Sequence, residues 1–428
     1  MERYSSYKPT AIQWLKEIPG HWEERRLKTL VTCNDEALSE KLDKDTEIQY
    51  VEIGDVDQVN GIKNSTFYKF KDAPSRARRI TRVGDIIIST VRTYLKAIAF
   101  IDKHDLIVST GFAVLRPHNV LPRYLAYATM CDGFTTDVLR YSIGISYPAI
   151  SSNDLLGLKI TLPSYEEQEK IVSYLENKTS KIDAYVTDKE KEIQLLQELK
   201  QKTIAEAVTK GLNPNVKMKD SSISWLGMIP EHWETKRIAS LFTGKVKANT
   251  DFEYHHAFKF YYGTLVPKEE TGDIEEYRDT YVKYSVLQKD DIMINGLNLN
   301  YDFISQRVAI APSDGIITSA YVVARPIKGT NAQYYNYLFK TMDNMKLFHG
   351  MGTGIRLTLS FDELKKQLVI VPPQEEQQAI VYYIEEKCQK IETLIMELQA
   401  EIDYLKEYKQ RLIADVVTGQ VNVQNEMI

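Results

Sequence analysis

The chain is written twice, and that constrains it more than any other feature. WLKEIPGHWE at residues 14 to 23 returns as WLGMIPEHWE at residues 225 to 234, with seven of the ten positions identical. Trp14, Trp22, Trp225 and Trp233 are all the tryptophans the protein has. The correspondence then continues. DIIIS (85 to 89) returns as DIMIN (291 to 295), STGFAVLRP (109 to 117) as TSAYVVARP (318 to 326), and YLAYA (124 to 128) as YYNYL (334 to 338). ISSNDLLGLKITLPSYEEQEKIVSYL (150 to 175) returns as LSFDELKKQLVIVPPQEEQQAIVYYI (359 to 384), at an offset near 209 throughout. Two tandem copies of one unit therefore fill nearly all 428 residues, so a fold assigned to one copy holds for the other.

Each copy changes character along its length. Its first part has short apolar stretches such as GDIIISTV, AIAFI and FAVLRP, broken by Gly, Pro, Asn and Asp, with one helical pattern at PRYLAYATM or QYYNYLFKTM. This predicts a strand-rich α/β domain. The last 45 or so residues are nearly free of Gly and Pro and rich in Glu, Lys, Gln, Leu and Ile, which predicts one long helix per copy. Ser164 with Glu167 makes a capping-box pattern at the first start, Pro372 and Pro373 precede the second, and Gly211 and Gly419 stand at the two ends. Ile384, Ile391, Leu398, Leu405 and Leu412 recur every seven residues, with Cys388, Ile395, Ile402 and Val416 beside them: a coiled-coil seam. In the first helix Leu175, Ile182, Val186, Ile193 and Leu196 form a looser seam, interrupted by Lys189 and Thr203. Each helix needs a partner, and the other repeat's helix is the most economical one.

The expected organisation is residues 1–162 as a first domain carrying the tryptophan element, 163–211 as its helix and 212–224 as a linker. Residues 225–371 form the second domain, 372–419 its helix and 420–428 a tail. The rigid Pro between paired aromatic anchors marks Trp14, Pro19, Trp22, Trp225, Pro230 and Trp233 as a structural clip rather than a binding site.

Composition removes several function classes. Cys33, Cys131 and Cys388 lie far apart, without zinc spacing or a disulfide framework, which fits a reducing cytoplasm. No apolar run is long enough to span a bilayer and the N-terminus has no apolar leader core. The net charge of −5 is concentrated in the helices: residues 165 to 210 carry −2 and residues 374 to 418 carry −5, leaving +2 on the rest, where SRARRITR places four arginines without an acid. Polyanion binding by the domains is allowed. Catalytic signatures are missing: there is no phosphate loop and no N-P-P-[YF] methyltransferase motif. The Gly-rich HGMGTGIR (349 to 356) is followed by LTLSFDEL rather than a βαβ unit, and His255 with His256 has no further ligands at metal spacing. No metal site is expected.

Taken together, the tryptophan element, GDIIISTVR, STGFAVLRP and the PxxEEQ-type entry into a long helix (LPSYEEQEKIVSYLENKTSKID and VPPQEEQQAIVYYIEEKCQKIE) make the chain resemble the specificity subunit of a type I restriction-modification system over essentially its whole length. Two departures stand out: Lys16 where Gly is more usual, and Tyr165 where an apolar residue usually precedes the EEQ. The resemblance implies an α/β architecture of two tandem target-recognition domains joined by two long antiparallel coiled-coil helices, an internal repeat with pseudo-two-fold character. It implies that each domain reads half of an interrupted double-stranded DNA target, that the helices set the spacer, and that two modification subunits dock on them. Restriction subunits complete the complex. The chain itself is then not an enzyme and needs no cofactor, while S-adenosylmethionine, ATP and Mg are used by the partner subunits, with no membrane role. The rival reading is a coiled-coil scaffold without sequence-specific DNA binding.

Arg suits guanine and Asn suits adenine in the major groove, while Lys and Tyr more often hold phosphates. In the first domain the candidates are Arg76, Arg78, Arg79, Arg82, Arg92, Tyr94, Lys96 and Tyr147. In the second they are Asn295, Asn298 and Asn300 of NGLNLNYD, with Lys245, Lys247, Arg307 and Arg356 as backbone contacts, and the loop HGMGTGIR is expected to face DNA.

Overall fold

The computed structural model describes residues 2–355 and 357–425 and divides into two compact units, Met1–Glu190 with Gln399–Ile428, and Lys191–Leu398. The units do not follow the copies. Each takes the start of one long helix from one copy and the end of the other long helix from the other copy.

In the first unit a four-stranded antiparallel sheet runs in the order Ile98–Phe100, Ile86–Ser89, Phe112–Pro117, Val31–Cys33. A second four-stranded sheet runs Thr66–Lys69, Glu47–Val51, Leu106–Ser109, Ala77–Ile80, with one parallel pair, Leu106–Ser109 on Glu47–Val51. The run DIIIS is apolar without alternation because both faces of its strand are covered. Ile86 and Ile88 enter the core with Tyr124, Leu125 and Trp22, whereas Ile87 joins Val108 and Phe112 on the other side. In the second unit the order Phe242–Thr243, Val322–Pro326, Ile292–Ile294, Val308–Ile310 repeats the first sheet strand for strand. Ile292 and Ile294 face one core and Met293 the other.

One ion pair is also built twice. The Arg of LRP or ARP reaches the Asp of DIIIS or DIMIN: Arg116 donates to Asp85, and Arg325 donates to Asp291 from Nε (3.0 Å) and Nη2 (2.7 Å). Both carboxylates are buried and each also accepts a backbone N–H, from Arg82 and Gln288 respectively.

The long helices run Tyr165–Lys210 and Gln374–Val417. Within the first unit their segments are antiparallel: Asp183 pairs with Lys409 at 2.6 Å and Glu190 with Lys406 at 3.3 Å, partner numbers falling as residue numbers rise. Lys189, the break in the predicted seam, is half-buried and meets Glu401 at 3.2 Å. In the second unit Lys200 meets Glu392, and Ala207 and Val208 share a core with Ile380 and Ile384.

The repeated tryptophan element binds the repeated EEQ. His21 Nε2 lies 3.1 Å from Glu167, whose other oxygen accepts the Tyr4 hydroxyl at 2.7 Å. His232 Nε2 and Trp233 Nε1 bond the two oxygens of Glu376 at 2.5 and 2.8 Å. Gln168 and Gln377 each donate to the carbonyl five residues back, of Pro163 and Pro372. Trp22, Trp233, Pro19 and Pro230 are buried; Trp14 and Trp225 are half-buried, with Trp14 laid over Gly133, where any Cβ would fall inside its ring. The same clip seals the end of a long helix. Gly419 (φ +72°) abuts Pro19 and Trp22, and Gly211 (φ +74°) abuts Trp233 and Pro230. The repeated tyrosines of YLAYA and YYNYL cap the last turns, Tyr124 donating to Val417 O and Tyr334 to Val208 O.

Two segments differ from expectation. Residues 212–224 are more than a linker: Met218–Asp220 forms a strand paired with Met228–Pro230, as Tyr7–Pro9 pairs with Glu17–Pro19. Residues 420–425 are more than a tail, for Val423 is buried, Gln420 donates to Glu17 O, and Asn422 N donates to Glu2 O. Both leave a helix end and bond to backbone in or near a clip, Met228–Pro230 in one case and Glu17 and Glu2 in the other.

Candidate nucleic-acid interface

The strand DIIIS ends in a loop that lies against the segment 141–150. Ile150 N donates to Thr90 O, Thr93 N to Pro148 O, and Val91 bridges Ala149, while Ile143 and Ala149 close a hairpin-like tip. In the second unit the loop after DIMIN lies against 353–359 in the same way. Leu359 N donates to Gly296 O, Leu299 N to Leu357 O, and Thr353 bridges Thr358. These matched bonds align the two loop pairs residue by residue.

At the tips, Gly144 (φ +113°) precedes Ile145, and Gly354 (φ +79°) precedes Ile355; both isoleucines are almost entirely exposed, at 102% and 97%. Folding gains nothing from an isoleucine held clear of the core, and a second one at the matching place marks a contact surface. Tyr94, Tyr141, Ile143 and Tyr147 enlarge the patch in the first unit, and Tyr301, Phe303 and Ile304 in the second. None of these isoleucines was among the sequence candidates. The signal was present as Gly-Ile in both copies, but the one-residue difference in tip length hides it from a fixed offset.

Beside the tips stand Arg92 and Asn298, both exposed and both left-handed, at φ 51° and φ 52°. Arg92 stacks over the Tyr147 ring at 5.2 Å. Arg76 joins this side, since its carbonyl accepts Thr110 N and the adjoining Gly111 O accepts Thr90 N. The other candidates of the first unit are more committed. Arg78 covers the Phe70 ring at 5.0 Å, and Arg79 is half-buried, its guanidinium pKa lowered by that burial. Arg82 is ion-paired with Glu36, and Lys96 meets Asp132 at 2.9 Å. The SRARRITR cluster therefore does not act as one basic patch.

In the second unit Lys245 and Lys247 are exposed, whereas Asn295 and Asn300 are half-buried, Asn295 accepting Leu297 N and Asn300 donating to Ile355 O. Arg307 needs correction as a phosphate contact. It is 1% exposed, and its guanidinium donates to the carbonyls of Asn295 (3.0 Å), Leu297 (2.9 Å) and Asp302 (2.7 Å). Those bonds pin the loop that carries Asn298. Asp302 closes the same loop by accepting Ser305 and Ile304 N–H groups, which hold its carboxyl down at about 2. Arg356 lies outside the described residues. His255 is spent on Phe252, bonding its carbonyl and packing on its ring.

The type I restriction modification DNA specificity domain matches residues 19–195 and again residues 230–404. The chain belongs to that specificity family. Its two specificity domains coincide with the two sequence copies, and the loop pairs described above lie inside both matches. Among similar proteins, the specificity subunit named for the type I restriction enzyme MjaX of Methanocaldococcus jannaschii is 26% identical over 243 residues, 52% of this chain and 53% of that one. The type I restriction enzyme HindI specificity subunit of Haemophilus influenzae is 28% identical over 143 residues, 32% of this chain and 31% of that one. The chain thus spans about half the length, or less, of these curated relatives. Among solved structures, a chain from a type I R-M system studied for complex assembly and conformational transition has a TM-score of 0.69 at 21% identity, covering 94% of this chain and 99% of that one. The HsdS subunit from Thermoanaerobacter tengcongensis has a TM-score of 0.50 at 23% identity, covering 94% and 98%. These two likenesses concern the fold. No described helix is long and apolar enough to cross a membrane.

Proposed function

We propose that the chain is the address-bearing subunit of a type I restriction-modification complex in the cytoplasm, each specificity domain reading one half of an interrupted duplex DNA target. The observation that carries this is the recurrence, in both domains, of one exposed loop pair with an apolar tip and a polar residue beside it. Arg92, Arg76, Tyr94, Tyr147 and Asn298 are the reading and phosphate-holding candidates that remain accessible, with Lys245 and Lys247 as backbone contacts. The helices set the spacer and present the docking surface. Tyr404 (72% exposed) and Tyr408 in the second helix stand at the positions of Leu195 and Leu199 in the first, and large apolar side chains repeated on an outer helical face favour two copies of one partner, the modification subunits. Restriction subunits bind the resulting assembly. The chain performs no chemistry of its own; S-adenosylmethionine, ATP and Mg act in its partners.

Mapping methylated adenines in cells that co-express this chain with its cognate modification subunits tests the reading. A two-part motif with a fixed spacer is the expected result. Methylation without such a motif, or dependence on the chain for assembly but not for sequence, would favour the scaffold reading.

A further inference from the structure

Resting on the DNA reading above, we propose that residues 92 and 298 are one and the same position, the base-reading position of each specificity domain, with Arg92 reading a guanine in one half-site and Asn298 an adenine in the other. The equivalence is structural. Each residue is the third after the last residue of its strand motif (DIIIS or DIMIN), each has φ near 50°, and each is followed by a residue whose N–H bonds the matching carbonyl of the Gly-Ile loop, Pro148 or Leu357.

At this left-handed position the two side chains are not equivalent. A left-handed residue here is needed to turn the loop against its neighbour, and Gly or Asn would supply it at little cost. Asn298 fits that expectation. Arg92 does not, for among the described residues it has no carboxylate partner, and its only described side-chain contact is the exposed stack on Tyr147. A strained residue that receives so little from its own fold marks a place where function sets the side chain. The Asn298 side chain likewise has no hydrogen-bonding partner among the described residues, so its amide is available. Both side chains are of the kind that presents a bidentate edge to a base: guanidinium to guanine O6 and N7, carboxamide to adenine N6 and N7. The flanking isoleucines are common to both domains and carry the part of the contact that does not discriminate. What differs between the domains at the same place is what specifies.

The test uses the assembled complex of this chain with its modification subunits and compares wild type with Arg92→Gly, Arg92→Asn and Asn298→Gly, scoring methylated motifs in cells and selection from a random duplex library in vitro. Glycine relieves the left-handed strain, so thermal stability should be kept or raised, and a loss of reading cannot be ascribed to unfolding. Expected is that Arg92→Gly makes one guanine of one half-site degenerate, discrimination falling by about tenfold to a hundredfold as for one lost bidentate contact. Arg92→Asn should shift that position towards adenine, and Asn298→Gly should free one adenine in the other half-site. If Arg92→Gly instead keeps every specified base and only weakens methylation uniformly, residue 92 is a phosphate contact and the proposal is overturned. A wild-type complex that yields no two-part motif overturns the DNA reading and this proposal together.

Discussion

Arg116 and Asp85 meet in a two-pronged ion pair, Nε to Oδ1 at 3.0 Å and Nη2 to Oδ2 at 2.9 Å, with the carboxylate 2% exposed. Asp85 is supplied by the strand Ile86–Ser89's own approach and Arg116 by the neighbouring Phe112–Pro117, so the pair fixes the register of two adjacent antiparallel strands. Replacing Asp85 by Ala removes the buried partner of two guanidinium donors and leaves Arg116 its Nη1 hydrogen bond to Glu36 at 2.9 Å, and should destabilise the protein by about 2 kcal/mol. Denaturant unfolding measures it. Asp85→Leu combined with Arg116→Met, which removes both charges, should cost less than Asp85→Ala alone, and a larger cost would show that the pair contributes through more than charge balance.

The helix ends give a second expectation. A Cβ at Gly419 would lie 2.4 Å from Pro19 and 3.2 Å from Trp22, in addition to the penalty of a left-handed Ala. Gly419→Ala should therefore cost about 2 kcal/mol or more, of which about 1 kcal/mol is backbone conformation. Gly227, left-handed but with open space around it, is the control and should lose only the conformational part. Equal losses at the two sites, read by thermal denaturation, would mean that the clip yields to the intruding methyl.

Much of this frame was legible in the sequence because it is local or periodic: the seven-residue seam declares a long helix, and glycine after the last turn declares its end. The pairing of the clip with EEQ was not legible, although both were conspicuous, since His21 and Glu167 are joined through a fold that no local pattern encodes. Arg307 was misread for a similar reason. Its residue type suits phosphate, but the loop Asn295–Asp302 curls so that three carbonyls converge on it, and only the closed loop shows that its donors are used. The SRARRITR cluster lost its unity because a strand sends alternate side chains to opposite faces, Ala77–Ile80 being such a strand.

Thiol chemistry supplies a third expectation. Burial disfavours the charged thiolate, so it raises a cysteine's pKa, and Cys131 is pushed up to about 12, with Cys33 and Cys388 also raised. At pH 8 the thiolate fraction of Cys131 is then about a thousandfold below that of a free cysteine. Alkylation followed by mass spectrometry should label it only after denaturation, when all three free cysteines react. Rapid labelling of Cys131 in the native protein would show an opening of the core beside Phe134 and Ala128.

The fourth expectation concerns modularity. Exchanging residues 235 to 358 for the corresponding segment of a relative replaces the second reading loops but leaves both long helices and both clips in place. One half of the methylated motif should change, while the other half and the spacer persist. Mismatches confined to one half-site should each cost about 1 to 3 kcal/mol in binding. A motif altered in both halves would contradict independent reading.

The contact of Gly419 with Pro19 has a consequence for inheritance. The clip belongs to the first copy and the helix end it seals to the second, just as Gly211 of the first copy lies against Trp233 of the second, so each specificity domain is built from material contributed by both copies. A crossover that imports a complete second copy therefore brings a foreign helix end to the first copy's clip, and also a foreign clip to the first copy's helix end. Loops can be traded freely between lineages, but these seams must be inherited as matched sets, and recombination that respects them can produce new pairs of loops without having to re-fit the joints.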